Sequence, residues 1–403
     1  MILLPKDSGN RPRLACEISP EAVVAARSVD AVTPVEQAAR VALADGAVVP
    51  GLKPGNVVDR LAVIAAIRRA LESIGANPNS RGADVTLVVP DGAMRVLLLD
   101  FDALPSKVTE ALPIVRFRLK KLLPFDADDA MISYQVMNAT KGAVHVLAVA
   151  MPRDILAEYE TAMREAGYEP GAVLPSTLAA IPGVAGPEPT LIANASSAGI
   201  TTAIVREGVL LLHRSIDLQP SADDAGLNLQ SGYHESSSVA AVAQRFPDNP
   251  ELAHSPYLSP TLSADLNAEI HNAILVAPTS LGTLTEEGMS SHVPELARAV
   301  LHESVEERLP DSLSDSLTEE ISQAVSVAAA YFEDTLSIPP STIFSAGTLG
   351  AEGLRRMLVE TGVGGADGLE VRELVDSAAL LPSALSASVP RSALAAVVGA
   401  LRG

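Results

Sequence analysis

The sequence predicts an α/β fold with more than one subdomain, and three observations support this. The chain has 403 residues and is 48% hydrophobic, which is sufficient for two to four separate cores. Segments with the two-residue periodicity of strands alternate with segments whose apolar residues recur at helical spacing. One group of these elements, Val85–Gly167, is compact enough to form an α+β unit between segments of another domain.

Composition and charge argue against several classes of function. The chain has 29 basic and 49 acidic residues. The resulting net charge of −20 disfavours binding to nucleic acid or anionic lipid. Cys16 is the single cysteine, so an intramolecular disulfide is excluded and a reducing compartment is expected. We find no signal-peptide pattern and no apolar run near the ~18 residues that cross a bilayer. We therefore expect a cytoplasmic protein in which any membrane association comes through a partner.

The first part of the chain predicts a flexible tail, a strand and a helix. Residues 1–13 form the expected tail. Leu14–Val24 has the apolar character of a strand and enters a turn at Ser19-Pro20. Val57–Ile74 is predicted to be a helix, because its apolar residues share one face and Gly75 follows as a stop.

For the unit Val85–Gly167, the sequence predicts two successive repeats of the order strand, strand, helix. Asp91-Gly92 separates the first two strands and is a hairpin signal. The fourth strand is apolar on both faces, which is typical of a central strand. The predicted strands are Val85–Pro90, Arg95–Phe101, Met131–Met137 and Val144–Ala150, and the predicted helices are Pro105–Leu123 and the segment between Pro152 and Gly167.

The second half predicts a strand meander, an irregular insertion and a mainly helical end. Ser, Pro, Asp and Asn crowd Gln219–Pro260, and we expect an insertion over about 219–310. Within it, Ile270–Ala277 has strand character and His292–Arg308 has helical character. Ser316 and Glu319 form a capping box for a helix over Ser316–Leu336. The other predicted strands are Thr190–Asn194, Thr201–Arg206, Val209–Ile216 and Ser341–Ala346, and the other predicted helices are Ala351–Thr361 and Ser392–Leu401.

Four segments point to a family. Three of them place small and polar residues beside predicted strands: C-E-I-S-P-E at Cys16–Glu21, N-A-S-S-A-G at Asn194–Gly199 and S-A-G-T-L at Ser345–Leu349. Phosphate-binding loops need glycines, so that backbone N–H groups can approach the ligand, and an Asp for the waters of the metal ion. The fourth, Arg116–Val136, is a basic helix end followed by Leu-Pro-Phe, an acidic turn and a strand.

Taken together in their order along the chain, the four segments resemble the PilM family, the actin-like proteins of type IV pilus assembly. The resemblance implies a two-lobed α/β fold of the actin and ribonuclease H type with an inserted α+β subdomain that binds partners. It places the first lobe at 14–84, completed by 168–189 and 390–403, the insertion at 85–167 and the second lobe at 190–389.

The nucleotide loops depart from the family pattern. In the first loop, Glu17 stands where the family has Asp, and Ser19 stands where it has Gly. In the second loop, Asn194 replaces the Asp and Ser196 replaces the Gly. The third loop retains only Gly347 of two or three glycines. Charge-assisted hydrogen bonds contribute ~1.5–3 kcal/mol each. Because several of them are lost, together with the Lys that Val24 replaces, the affinity for ATP should fall by roughly several powers of ten. We therefore expect a vestigial nucleotide site, no catalytic residue and no cofactor; bound ATP and magnesium remain the alternative.

The basic segment suggests a docking surface, with a solvated helix face as the simpler explanation. In the PilM family the insertion forms part of a groove for the extended N-terminal tail of the membrane protein PilN, which carries an Asn-Leu-Leu-Pro motif. The resemblance implies a scaffold that forms a homo-oligomeric ring and links this partner to the pilus assembly motor. The residues it assigns to the groove are Arg116, Lys120, Leu123, Pro124 and Phe125.

Three rival functions stay open. An active actin-fold ATPase or sugar kinase would bind nucleotide. A relative of the division protein FtsA would end in an amphipathic membrane helix, whereas we expect Ser392–Gly403 to complete the fold. A type II secretion protein like GspL would continue into a transmembrane helix. The seven histidines lack metal-ligand spacing, and Asp126, Asp128 and Asp129 suit a solvated turn, so we expect no metal site.

Overall fold

The computed structural model describes residues 12–78, 84–184, 188–218, 311–362, 369–385 and 389–402. Residues 12–218 and 315–402 belong to one compact unit. Residues 1–11 of the predicted tail and the predicted insertion with its strand Ile270–Ala277 and helix His292–Arg308 lie outside the described residues.

The described elements alternate strands and helices, as the periodicity predicts. The helices of at least four residues are α1 Arg60–Ser73, α2 Val108–Leu119, α3 Arg153–Glu165, α4 Ser176–Ala180, α5 Asp311–Leu336, α6 Gly350–Glu360, α7 Pro382–Leu385 and α8 Ala395–Arg402. The strands are β1 Leu14–Ile18, β2 Ala22–Arg27, β3 Gln37–Ala42, β4 Asp84–Val89, β5 Arg95–Phe101, β6 Ala130–Thr140, β7 Ala143–Pro152, β8 Glu169–Pro175, β9 Thr190–Ala195, β10 Gly199–Arg206, β11 Val209–Asp217, β12 Thr342–Gly347 and β13 Glu370–Glu373.

Two five-stranded sheets share one topology. The first has the order β3-β2-β1-β4-β8 and the second the order β11-β10-β9-β12-β13. In each, three consecutive strands form an antiparallel meander, and two later strands run parallel to the first strand of that meander. Consequently β1 and β9 are the central strands of two equivalent sheets, which define the first and second lobes.

Helices cover these sheets with apolar faces. In the first lobe, α1 contacts β2 and β3, α3 contacts β8, and α8 contacts β1 and α4. In the second lobe, α5 buries Ile321, Val325, Ala328 and Phe332, which recur at helical spacing on one face. Cys16 is fully buried in strand β1, and burial raises the pKa of its thiol, so it is an inert core residue.

A third sheet, β5-β7-β6, is antiparallel and packs with α2 around a separate core; we call these four elements the inserted unit. The predicted hairpin at Asp91-Gly92 is wrong, because β4 pairs in parallel with β1 and β8 while β5 pairs with β7. Asp91–Ala93 forms a short 3-10 turn instead. β4 is buried on both faces, as a central parallel strand should be.

The predicted boundaries of the insertion, Val85–Gly167, are therefore too wide at both ends. The inserted unit runs from Arg95 to Pro152. The buried face of α3, including Ile155, Tyr159 and Met163, belongs to the core of the first lobe. Local periodicity finds this helix but does not reveal which sheet it covers.

Among the described helices, none combines the length and the apolar character needed to cross a bilayer.

The crossing of α8 and α4 depends on Gly399. A Cβ atom at this position would lie 2.1 Å from the carbonyl oxygen of Ala179, which is backbone and cannot rotate away. We expect Gly399→Ala to lower the free energy of unfolding by about 1–3 kcal/mol, the usual range for overpacking, in urea denaturation. Gly353→Ala in α6 is the matched control. Its Cβ would meet only the side chain of Leu349, so a similar loss there would contradict this explanation.

Candidate functional site

A small cavity lies where the central strands of the two lobes end. It has a volume of about 60 Å³. All five predicted nucleotide-loop residues line it, together with residues that the sequence did not single out. The five are Glu17, Ser19, Asn194, Ser196 and Gly347, and the additional polar residues include Asp91, Ser176, Thr201, Ser215 and Asp217.

The two serines that replace glycine close their own turns. In the β1–β2 turn, the Ser19 hydroxyl donates to the Ala22 carbonyl at 2.9 Å and accepts from the Ala22 N–H at 3.1 Å. In the β9–β10 turn, the Ser196 hydroxyl accepts from the Ala198 N–H at 3.3 Å. These hydroxyl groups therefore stabilise the local backbone.

The retained glycine has a structural explanation within the second lobe. Gly347 ends β12 with a positive φ of 84°, which favours glycine. A Cβ there would lie 2.3 Å from the carbonyl oxygen of Ala195 and 2.6 Å from the side-chain oxygen of Asn194. Gly347 thus allows β12 and β9 to approach closely at the cavity, and this alone accounts for its presence.

A chain of hydrogen bonds crosses the cavity between the lobes. The Asn194 amide of the second lobe donates to the hydroxyl groups of Ser176 at 3.0 Å and Thr177 at 2.9 Å, at the start of α4 in the first lobe. The Ser176 hydroxyl donates to Glu17 at 2.6 Å. The Thr177 hydroxyl donates to Asp91 at 2.5 Å, and the Thr177 N–H donates to the same carboxylate at 3.2 Å.

A second connection joins the two turns directly. Both the N–H and the hydroxyl of Ser197, in the β9–β10 turn, donate to the Glu21 carboxylate of the β1–β2 turn at 2.6 Å. At the third loop, the N–H of Ala351 in the first turn of α6 donates to Glu373 at 3.0 Å. Backbone donors near two of the three loops are therefore occupied by carboxylates of the chain itself.

The site is acidic. Glu17, Asp91 and Asp217 line the cavity, and no Lys or Arg is among its described lining residues. Burial raises the pKa of Glu17 to about 7, and the nearby carboxylates of Asp91 and Glu21 act in the same direction, against the Ser176 hydrogen bond. Arg95, at the start of the inserted unit, lies 3.9 Å from Asp217.

Asp91 is the important residue that the sequence analysis missed. It is only 8% exposed and it organises Thr177 through three hydrogen bonds. The sequence analysis did not identify Asp91 as a site residue because it interpreted Asp91-Gly92 as a hairpin turn. Assigning β4 to a parallel central strand would have revealed it, because ligand sites in open sheets lie beyond the carboxyl ends of such strands.

Two of the predicted partner-binding residues contact the inserted unit itself. The Arg116 guanidinium donates to the carbonyl groups of Ala127 and Ala130. Lys120 pairs with Asp128 at 2.5 Å and lowers the pKa of that carboxyl group. Both cations thus hold the acidic turn.

The predicted Leu-Pro-Phe segment is divided between core and surface. Leu123 and Phe125 are half-buried against the core of the inserted unit, and Pro124 is exposed. The more exposed apolar side chains lie on the outer face of α2, where Phe117 is 66% and Ile114 is 40% exposed. Lys121 lies over the Phe117 ring, 5.4 Å from its centre.

The acidic residues of the cavity do not form a metal centre. Within the described ranges, no group of three or more His, Cys, Asp and Glu side chains is arranged to hold a metal ion.

Glu17 should make stability depend on pH. Its pKa is raised in the folded state from 4.5 to about 7, so its contribution is fully present below about pH 4.5 and is lost as pH rises through about 7. At ~1.4 kcal/mol per pKa unit, the loss is on the order of 3 kcal/mol. We expect Glu17→Gln to flatten the decline in unfolding free energy between pH 5 and pH 8.

Urea denaturation at several pH values measures this effect. Glu188→Gln, at an exposed position, is the control and should leave the decline unchanged. A Glu17→Gln profile parallel to that of the unsubstituted protein would refute the assignment.

Solved structures of known proteins resemble this fold. No protein-family model and no curated protein sequence matches the chain. Among solved structures, the PilM-PilN type IV pilus biogenesis complex matches with a TM-score of 0.59 and 16% identity, covering 98% of each chain. The cytoplasmic domain of EpsL, an inner-membrane component of the type II secretion system of Vibrio cholerae, matches with a TM-score of 0.34 and 14% identity over 55% of this chain and 78% of that chain.

EutJ, an ethanolamine utilization protein from Carboxydothermus hydrogenoformans, matches with a TM-score of 0.40 and 10% identity over 100% of this chain and 92% of that chain. The likenesses to EpsL and EutJ are too distant to support an argument, whereas the likeness to the PilM-PilN complex shows the fold. The predicted fold class is confirmed: the chain has a two-lobed, actin-like α/β fold with an inserted unit.

Proposed function

We propose that the chain is an adaptor of type IV pilus assembly, or of a related secretion machine, and acts without hydrolysing nucleotide. The observation that carries this proposal is the likeness of fold to the PilM-PilN complex over 98% of each chain. The topology adds support, because a separate three-stranded sheet with its own helix is inserted between β4 and β8. Such a unit provides a surface away from the cavity.

The proposed partner is the extended N-terminal tail of a PilN-like inner-membrane protein. In the described part of the inserted unit, β5 and β6 are the outer strands of the sheet, and an extended peptide gains main-chain hydrogen bonds at such an edge. The exposed Pro124, beside Leu123 and Phe125, provides an apolar contact. In this proposal Arg116 and Lys120 act indirectly, by fixing the acidic turn that follows this segment.

Loss of nucleotide binding is the second part of the proposal. The cavity of about 60 Å³ is far smaller than the ~300–1,000 Å³ of typical ligand pockets. Its acidic lining would repel a triphosphate, and Glu21 and Glu373 occupy nearby backbone donors. Ser19, Ser196 and Gly347 line this cavity, where the rival function of an active ATPase would place its nucleotide.

The remaining parts follow from the same resemblance. We propose that the protein forms a homo-oligomeric ring, links its PilN-like partner to the assembly motor and stays at the cytoplasmic face of the inner membrane through these contacts. A role like that of FtsA or GspL is the alternative within the same fold.

Peptide binding tests the proposed partner. A fluorescent peptide containing the Asn-Leu-Leu-Pro motif should bind saturably at micromolar concentration in an anisotropy titration, and a scrambled peptide should not. Pro124→Asp should weaken binding at least tenfold, because it puts a charge in the apolar contact. Val32→Asp, at an 88% exposed position of the first lobe, is the control. Equal binding of both peptides would reject the proposal.

Nucleotide addition tests the second part. A site with a Kd of about 10 μM would gain about 2.7 kcal/mol of stability at about 1 mM ligand, which raises the melting temperature by several degrees. We expect millimolar ATP with magnesium to leave the melting temperature nearly unchanged in differential scanning fluorimetry. A clear rise would favour the ATPase.

A further inference from the structure

The two turns that resemble phosphate-binding loops are bonded to each other. The β1–β2 turn and the β9–β10 turn follow the central strands of their lobes. Ser197 is exposed, and its N–H and hydroxyl both donate to one oxygen of Glu21. This contact joins residues that are far apart in sequence and belong to different lobes.

The buried connection lies alongside. Asn194 donates to Ser176 and Thr177, and Thr177 is fully buried. The lobes are therefore joined at two levels, by neutral hydrogen bonds at the cavity and by a charged acceptor at the exposed turn. Neither connection requires a ligand.

We propose that the Glu21 carboxylate takes the place of a nucleotide phosphate and holds the lobes closed. A phosphate oxygen in such a loop accepts hydrogen bonds from backbone N–H groups and carries negative charge. The Glu21 oxygen does both, with short charge-assisted bonds. This proposal rests on the proposed loss of nucleotide binding and extends it, because it states what replaces the ligand.

The chemistry of the replacement differs from ligand binding in one respect. A nucleotide connects the lobes only while it is bound, so closure follows its concentration. Glu21 is part of the chain, and its effective concentration at Ser197 is fixed by the fold. Closure then becomes a constant property of the protein.

The two oxygens of the Glu21 carboxylate differ in their contacts. One is buried and has no hydrogen-bond partner among the described residues. In the same part of the chain, the hydrogen bonds that the Glu21 carboxylate does accept both come from Ser197. Among the described residues of its own lobe, no donor forms a hydrogen bond with the Glu21 carboxylate. Across the cleft, the same carboxylate accepts two hydrogen bonds from Ser197.

Hydrogen exchange of the β9–β10 turn tests the proposal. Because Ser197 is exposed, protection of its amide depends on the bond to Glu21. We expect Glu21→Ala to speed exchange in a peptide covering 194–199 by roughly three- to thirtyfold, the effect of losing one or two exposed hydrogen bonds. Glu21→Gln keeps an oxygen acceptor and should change the rate less. Exchange in β6 of the inserted unit should be unchanged and serves as the internal control.

A second variant keeps the test valid if Glu21→Ala fails to fold. Ser197→Ala removes the hydroxyl and keeps the N–H, so it should give an intermediate rate with an unchanged circular dichroism spectrum. Equal exchange in the unsubstituted protein and Glu21→Ala would overturn the proposal. So would slower exchange of residues 194–199 when ATP and magnesium are added to the unsubstituted protein.

The failure of this proposal is distinguishable from that of the adaptor function. Binding of the Asn-Leu-Leu-Pro peptide is measured on the same variants. If the peptide does not bind but Glu21→Ala speeds exchange, the adaptor function is wrong and the role of Glu21 stands. If the peptide binds and exchange does not respond, the role of Glu21 is wrong and the adaptor function stands.

Discussion

The hydrogen bonds among Asp91, Thr177 and Asn194 are the contacts on which the arrangement of the cavity depends. Asp91 follows the inner strand β4, Thr177 lies in the first turn of α4, and Asn194 lies near the end of β9 in the other lobe. Thr177 is fully buried, so loss of either neighbour would leave a polar group unpaired in the interior. The three residues thus fix the ends of three elements and the separation of the lobes.

The departures from the nucleotide-binding pattern form a coherent set. An Asp at position 194 could only accept hydrogen bonds, and it would add a carboxylate beside Asp91 and Glu17. The amide of Asn194 donates to both hydroxyl groups instead. Ser19 and Ser196 stabilise their turns. Each of these three side chains therefore makes a contact within the protein, which agrees with the proposed loss of nucleotide binding.

The resemblance to family nucleotide loops pointed to five of the cavity residues, but local sequence patterns could not place the boundaries of the inserted unit. Glu17, Asn194 and Gly347 lie at or near the ends of strands with clear apolar patterns, and parallel neighbours bring strand ends together. The parallel pairing of β4 is a contact between distant segments, which the local signal Asp91-Gly92 cannot report. Likewise, helical spacing shows that Lys120 is exposed, but its pairing with the acidic turn depends on a bend of the chain that periodicity does not encode.

The segment between Asp91 and Arg95 links the cavity to the inserted unit. Asp91 holds Thr177 in the first lobe, and Arg95 begins β5 and faces Asp217 of the second lobe at 3.9 Å. The Arg95–Asp217 pair therefore connects the start of the inserted unit to the second lobe. A partner that docks on a surface already held in place does not have to supply the ordering that binding otherwise requires. In the proposed function, closure by the chain's own side chains would suit a scaffold, because the proposed docking surface would stay the same whether or not nucleotide is present.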